Sequence, residues 1–85
     1  MEIDLYEKAI RDLEYWRKSG NKVIQKRIQV LLDDMKKHPF EGIGKPEALK
    51  HQLAGKFSRR INEERRIIYD VTGKVINVYS LKGHY

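Results

Sequence analysis

Apolar positions recur with a helical period over the first 38 residues and turn to alternation after residue 56. Ala9, Ile10, Leu13 and Trp16 return at helical spacing from about residue 7 to residue 18. Ser19-Gly20-Asn21 interrupts that pattern, and Asn21 is a suitable N-cap for a second helix. Ile24, Ile28, Leu31, Leu32 and Met35 then mark one apolar stripe. Lys36, Lys37 and His38 suit the negative end of a helix, and Pro39 stops it. Ahead of both predicted helices, residues 2–6 (Glu-Ile-Asp-Leu-Tyr) alternate like a short strand.

Residues 39–48 carry two prolines and two glycines and read as a loop. Pro46 is expected to open a brief helical turn with Glu47 near its N-terminus. Three strand-like runs come next, at 56–62, 64–72 and 74–81, with a hairpin at Asn62-Glu63 and a turn at Thr72-Gly73. The order predicts one α+β domain over residues 1–85: two antiparallel helices on one face of a small antiparallel sheet. By parity Phe57, Ile61, Ile67, Tyr69 and Val71 face the core. Ser58, Arg60, Asn62, Glu64, Arg66, Ile68 and Asp70 face away. The last run is apolar on both parities and belongs in the sheet's centre; Trp16 and Tyr79 are assigned to the core.

Composition narrows the function. The chain has no cysteine, so neither a disulfide framework nor a thiolate metal site is available, which suits a reducing cytoplasm. No apolar run approaches membrane-spanning length, and Met-Glu-Ile-Asp lacks the features of a signal peptide; the expected location is cytoplasmic. Residues 1–41 hold nine Lys/Arg against eight Asp/Glu, whereas residues 42–85 hold nine against four. That basic half implies a surface facing a polyanion, with RNA, DNA and an acidic protein segment all eligible.

His84 and Tyr85 close a strand-like run, where an imidazole can move a proton and a phenol ring can stack on a base. With Glu47 and Arg66 they supply the parts needed to cleave a phosphodiester. Each also has a plainer reading. Glu47 could favour a helix N-terminus, Arg66 could belong to a solvated charge run, and His84-Tyr85 could be tail. His38 and His51 lack clustered partners and read as surface or cap residues. No metal site and no cofactor is expected.

Taken together, Pro39-Phe-Glu-Gly-Ile-Gly-Lys-Pro-Glu-Ala-Leu-Lys50, Ser58-Arg-Arg-Ile61, Glu64-Arg-Arg66 and Lys82-Gly-His-Tyr85 overturn the plainer readings. This set, with the Tyr15-Trp16 pair, resembles the YoeB/Txe-type toxins of the RelE superfamily over nearly the whole chain. The resemblance implies a RelE-like, microbial-RNase-like fold. It also implies a ribosome-dependent endoribonuclease that cuts mRNA in the A site by acid–base transesterification, restrained by a YefM/Phd-type antitoxin. On the matching positions it makes Glu47 the general base, Arg66 the phosphate stabiliser, His84 the general acid and Tyr85 the residue that orients the substrate. Lys50, Arg59, Arg60, Glu64 and Arg65 are expected to bind RNA or support the site. Two positions depart from the pattern: Arg65 stands where many relatives have His, and Lys56-Phe57 replaces a commoner aromatic pair. A homodimer is also implied, for which an exposed Trp16 or Tyr15 could serve. The competing readings are a non-catalytic basic RNA- or protein-binding module on the same fold and a relative of gyrase-poisoning toxins, which leaves Glu47 and His84-Tyr85 without a role.

Overall fold

Residues 1–84 are described by the computed structural model; Tyr85, expected to orient the substrate, lies outside them. Strand β1 (Glu2–Leu5) leads into helix α1 (Glu7–Ser19), and α2 (Lys22–Lys37) comes after it. Ala9, Leu13 and Trp16 turn inward as their spacing predicts, but Ile10 is exposed. The inward position that hydropathy missed is Asp12, which is buried. Asn21 caps α2, its Oδ1 accepting the Ile24 N–H at 3.0 Å. Ile24, Ile28, Leu31 and Met35 form the buried stripe of that helix.

The sheet is five-stranded, with β2 (Glu47–Ala48), β3 (Phe57–Arg60), β4 (Arg65–Thr72) and β5 (Val75–His84) arranged in the order β1-β5-β4-β3-β2. It is mixed, which corrects the expectation of an all-antiparallel sheet: β1 runs parallel to β5, and the other neighbours are antiparallel. Both helices and strands β2, β3 and β4 lie between β1 and β5 in the chain, so the connection is far longer than a hairpin and a parallel neighbour is possible. β5 is interior, flanked by β1 and β4. Ile61, Ile67, Tyr69, Ile76, Val78 and Leu81 bury one sheet face against both helices, leaving the other face open.

A second correction concerns Glu47. It opens no helical turn; Glu47–Ala48 pairs with the edge of β3, Glu47 opposite Ser58 and Ala48 opposite Phe57. The Leu49 N–H continues the ladder to Lys56 O at 2.9 Å, and a 3-10 turn comes later, at His51–Leu53. An adjacent strand edge satisfies these backbone groups more completely than an isolated turn of helix would.

Two aromatic assignments divide. Trp16 is core and therefore offers little surface to a second copy, whereas Tyr15 is exposed. Tyr79 is half-buried on the open sheet face, outside the apolar core, with its hydroxyl on Asp70 Oδ2 at 2.8 Å and its ring edge-on to Tyr6. The register shift between β4 and β5 upsets simple alternation there.

Candidate functional site

Register across three strands builds the site. Glu47 pairs with Ser58, Ser58 with Ile68 and Arg60 with Arg66, so these five residues share the open face. The residues with chemistry among them are Glu47, Ser58, Arg60 and Arg66. Arg66 is 2% exposed; its Nη1 donates to Ser58 Oγ at 2.8 Å and stands 3.8 Å from Glu47 Oε2. The Glu47 side chain is 42% exposed, so the carboxylate sits at the mouth and the guanidinium lies beneath it. Arg60, half-buried, is directly opposite Arg66. Like charges facing one another across a sheet repel, and an anion such as a phosphate would relieve that repulsion.

The strand end carrying His84 reaches this cluster but does not place the imidazole in it. Gly83 pairs with Arg66, and His84 pairs with Arg65. Alternation therefore sets His84 on the parity opposite to Arg66. Lys82, of the same parity as His84, turns its ammonium over the Tyr15 ring of α1 at 3.6 Å. Gly83 is where β5 closes on β4: a Cβ there would lie 2.9 Å from Ile68 Cγ1 and 3.0 Å from Arg66 O. His84 is exposed, one residue beyond that contact.

Of the expected supporting residues, Lys50 is exposed just after β2, and Arg65 is half-buried with Nη1 3.4 Å from Lys82 O. Glu64 was expected on the same face as Arg66, in a supporting role. It lies exposed in the β3–β4 turn, its N–H donating to Asn62 Oδ1 at 2.9 Å. Ser58, which parity puts on this face without assigning it a role, holds Arg66 instead.

Arg59 corrects the expectation of RNA contact. It is fully buried on the helix face, opposite Ile67. Its guanidinium donates to Asp34 Oδ2 at 2.5 Å, Ile43 O at 3.2 Å, Glu41 O at 2.6 Å and His38 O, and its Nε to the Tyr69 hydroxyl at 3.3 Å. Tyr69 in turn donates to Pro39 O at 2.8 Å. The Arg59 hydrogen bond holds the Asp34 carboxyl below its ordinary value against the upward push of burial, and the Ile43 N–H adds to it. The Pro-Phe-Glu-Gly-Ile-Gly segment thus wraps a buried cation before delivering Glu47. Gly44, at φ 80°, fits because a Cβ would meet Leu31 Cδ2 at 2.7 Å. Parity with Phe57 and Ile61 was the signal that could have found Arg59.

Among the described residues, no group of three or more His, Asp or Glu side chains is placed to hold a metal ion, and no helix is long and apolar enough to cross a membrane.

Comparison with known proteins shows the family and the fold. A family described as YoeB-like toxin of bacterial type II toxin–antitoxin system matches residues 5–85. Toxin YoeB of Escherichia coli strain K12 is 42% identical over 79 residues, spanning 93% of each chain. The YoeB/ParE toxin from Agrobacterium tumefaciens superposes with a TM-score of 0.93 at 34% identity over 100% of both chains. Staphylococcus aureus YoeB in a heterotetrameric complex with YefM gives 0.88 at 40% identity, over 100% of this chain and 98% of that one. A dimer of the same toxin gives 0.90 at 40% identity, with the same coverage.

Proposed function

Because the chain belongs to the YoeB-like toxins of bacterial type II toxin–antitoxin systems, we propose that it is a metal-independent endoribonuclease cutting mRNA in the ribosomal A site. The observation that carries this reading is the ion pair of a half-exposed Glu47 and a buried Arg66 on an open basic sheet face.

RNA brings its own nucleophile, the 2′-hydroxyl. Glu47 takes the 2′-proton as O2′ attacks phosphorus; Arg66, with Arg60 beside it, stabilises the charge of the phosphorane. The P–O5′ bond then breaks and His84 protonates the departing oxygen, leaving a 2′,3′-cyclic phosphate and a 5′-hydroxyl. Since His84 is paired with Arg65, it serves as the acid only after the chain turns beyond Gly83. Tyr85 orients the substrate in this scheme, and Lys50 and Arg65 contact its backbone.

The partner is a YefM/Phd-type antitoxin whose acidic segment covers the basic face; the S. aureus complex supports that assignment. A homodimer is proposed on the strength of the S. aureus dimer. The site of action is the cytoplasm, where translating ribosomes are.

A second reading, a non-catalytic basic module on the same fold, draws on the placement of His84 away from Arg66. Mapping mRNA 5′-ends after brief induction separates the two. Cuts in phase with codons, absent from Glu47→Ala cells, are expected of the nuclease; unaltered transcripts with arrested growth would favour the binding module.

A further inference from the structure

β1 supports β5 only as far as Val78, whose carbonyl accepts the Tyr6 N–H at 2.9 Å. Beyond that point, among the described residues, no strand lies beside the β1-facing edge of β5, and α1 side chains take over its backbone groups. Asp12 Oδ2 accepts the Leu81 N–H at 3.0 Å, the Ser80 hydroxyl at 3.1 Å and the Lys8 ammonium at 2.9 Å. Ser80 Oγ in turn accepts the Lys82 N–H at 3.2 Å. One turn along α1, Trp16 Nε1 donates to Leu81 O at 2.9 Å. Both sides of the Leu81 residue and the next N–H are therefore tied, directly or through one hydroxyl, to two buried residues of one helix.

Such an arrangement exceeds what core packing requires. Burying a carboxylate is costly unless it is paired and hydrogen-bonded; an apolar residue at position 12 would cover the strand but leave the Leu81 N–H without this acceptor. What Asp12 adds is a fixed point two residues before Gly83, at the bulged end of β5. An extended residue advances the chain about 3.3 Å, so His84 is three such steps beyond the anchored residue. Its accessible positions are set by where Leu81 and Lys82 are held.

We propose that Asp12, assisted by Trp16, is a positioning residue for the acid half of the cleavage: α1 anchors Leu81 and Lys82 so that His84 is presented to the leaving oxygen. This rests on the nuclease reading above and extends it to a helix remote from the open face.

The test is a double-mutant cycle read as single-turnover mRNA cleavage on programmed ribosomes. Asp12→Ala removes the oxygen that accepts both the Leu81 N–H and the Ser80 hydroxyl. Trp16→Phe keeps an aromatic ring in the core but removes the indole N–H donor. Each is expected to lower the maximal rate about 10- to 100-fold, the scale of a misplaced catalytic group, with ribosome affinity unchanged. In a His84→Ala background each is expected to cost nothing further. An equal additional loss in that background would overturn the proposal while leaving the nuclease reading intact, because the effect would then not pass through His84. If His84→Ala alone left the rate unchanged, the acid assignment itself would fail and this inference with it. Should Asp12→Ala fold poorly, the Trp16→Phe cycle decides the matter in the same two ways.

Discussion

Arg66 and Glu47 stand two strands apart, on β4 and β2, yet their charged ends are 3.8 Å from each other across Ser58 of β3. The short edge strand makes this possible: the Glu47–Ser58 pairing brings the carboxylate over a guanidinium that is itself nearly buried. A cation held this way has its orientation set before any phosphate arrives, which is the condition for transition-state stabilisation without reorganisation.

Ser58→Ala should therefore loosen Arg66 without removing it. Losing a hydrogen bond to a charged, buried group costs about 1.5–3 kcal/mol. Urea unfolding is expected to show that loss, and cleavage should fall about tenfold or more through the rate constant, since orientation is what is lost. Cleavage and stability both at wild-type values would show that Ser58 does not set the arginine.

Arg59 is expected to be the more damaging arginine to lose for folding, although it reaches no open face. Breaking a buried ion pair by removing one partner costs about 3–5 kcal/mol, and here several loop carbonyls lose their donor as well. Arg59→Lys should rescue little, because a point-like ammonium cannot replace the planar fork. Denaturant midpoints of Arg59→Ala and Arg59→Lys check this; near-complete rescue by lysine would contradict it.

Acid should loosen the fold through two carboxylates. Asp34 is held below 3.8 by the Arg59 hydrogen bond with burial opposing. Asp12 is pushed up by burial but held below 3.8 by the hydrogen bonds and charge of Lys8, the Leu81 N–H and Ser80 together. Each binds fewer protons folded than unfolded, so stability rises with pH across this window. The contribution is complete above the unfolded value of 3.8 and is lost as pH falls through the lower folded value. Urea midpoints measured from about pH 5 down to about pH 2.5 should fall steeply for the wild type and less so for Asp34→Asn. Parallel curves would remove Asp34 from the explanation.

Gly83→Ala tests the close approach of β5 to β4. Its Cβ would press on the Ile68 side chain and the Arg66 carbonyl, and overpacking of this kind costs about 1–3 kcal/mol. Thermal melts should fall, and cleavage should fall further than the melt alone explains, because the displaced residue adjoins His84. A stable, fully active variant would show that this contact is dispensable.

Periodicity made most of the architecture legible: both helices, the Asn21 cap, the two hairpin turns and the open-face parity of Arg60 and Arg66 are all consequences of spacing. What escaped it were features set by partners distant along the chain. Glu47 became a strand because β3 offered an edge, which Pro46 alone does not reveal. Asp12 and Arg59 carry no apolar signal, yet each is buried because backbone groups need it there: the end of β5 for one, the loop from His38 to Ile43 for the other. The parallel pairing of β1 had no local signal at all. Residue order along the motifs identified the family; the pairing of His84 with Arg65 is a conformational detail that motif matching does not carry.

Action of Glu47 and Arg66 on a ribosome-bound phosphodiester is the central claim, and end-group analysis of mRNA fragments from programmed ribosomes tests it most directly. The wild type should leave a 2′,3′-cyclic phosphate and a 5′-hydroxyl, with Glu47→Ala and Arg66→Ala each slowed at least about 100-fold while remaining folded. Undiminished cleavage by either folded variant, or fragments ending otherwise, would contradict it.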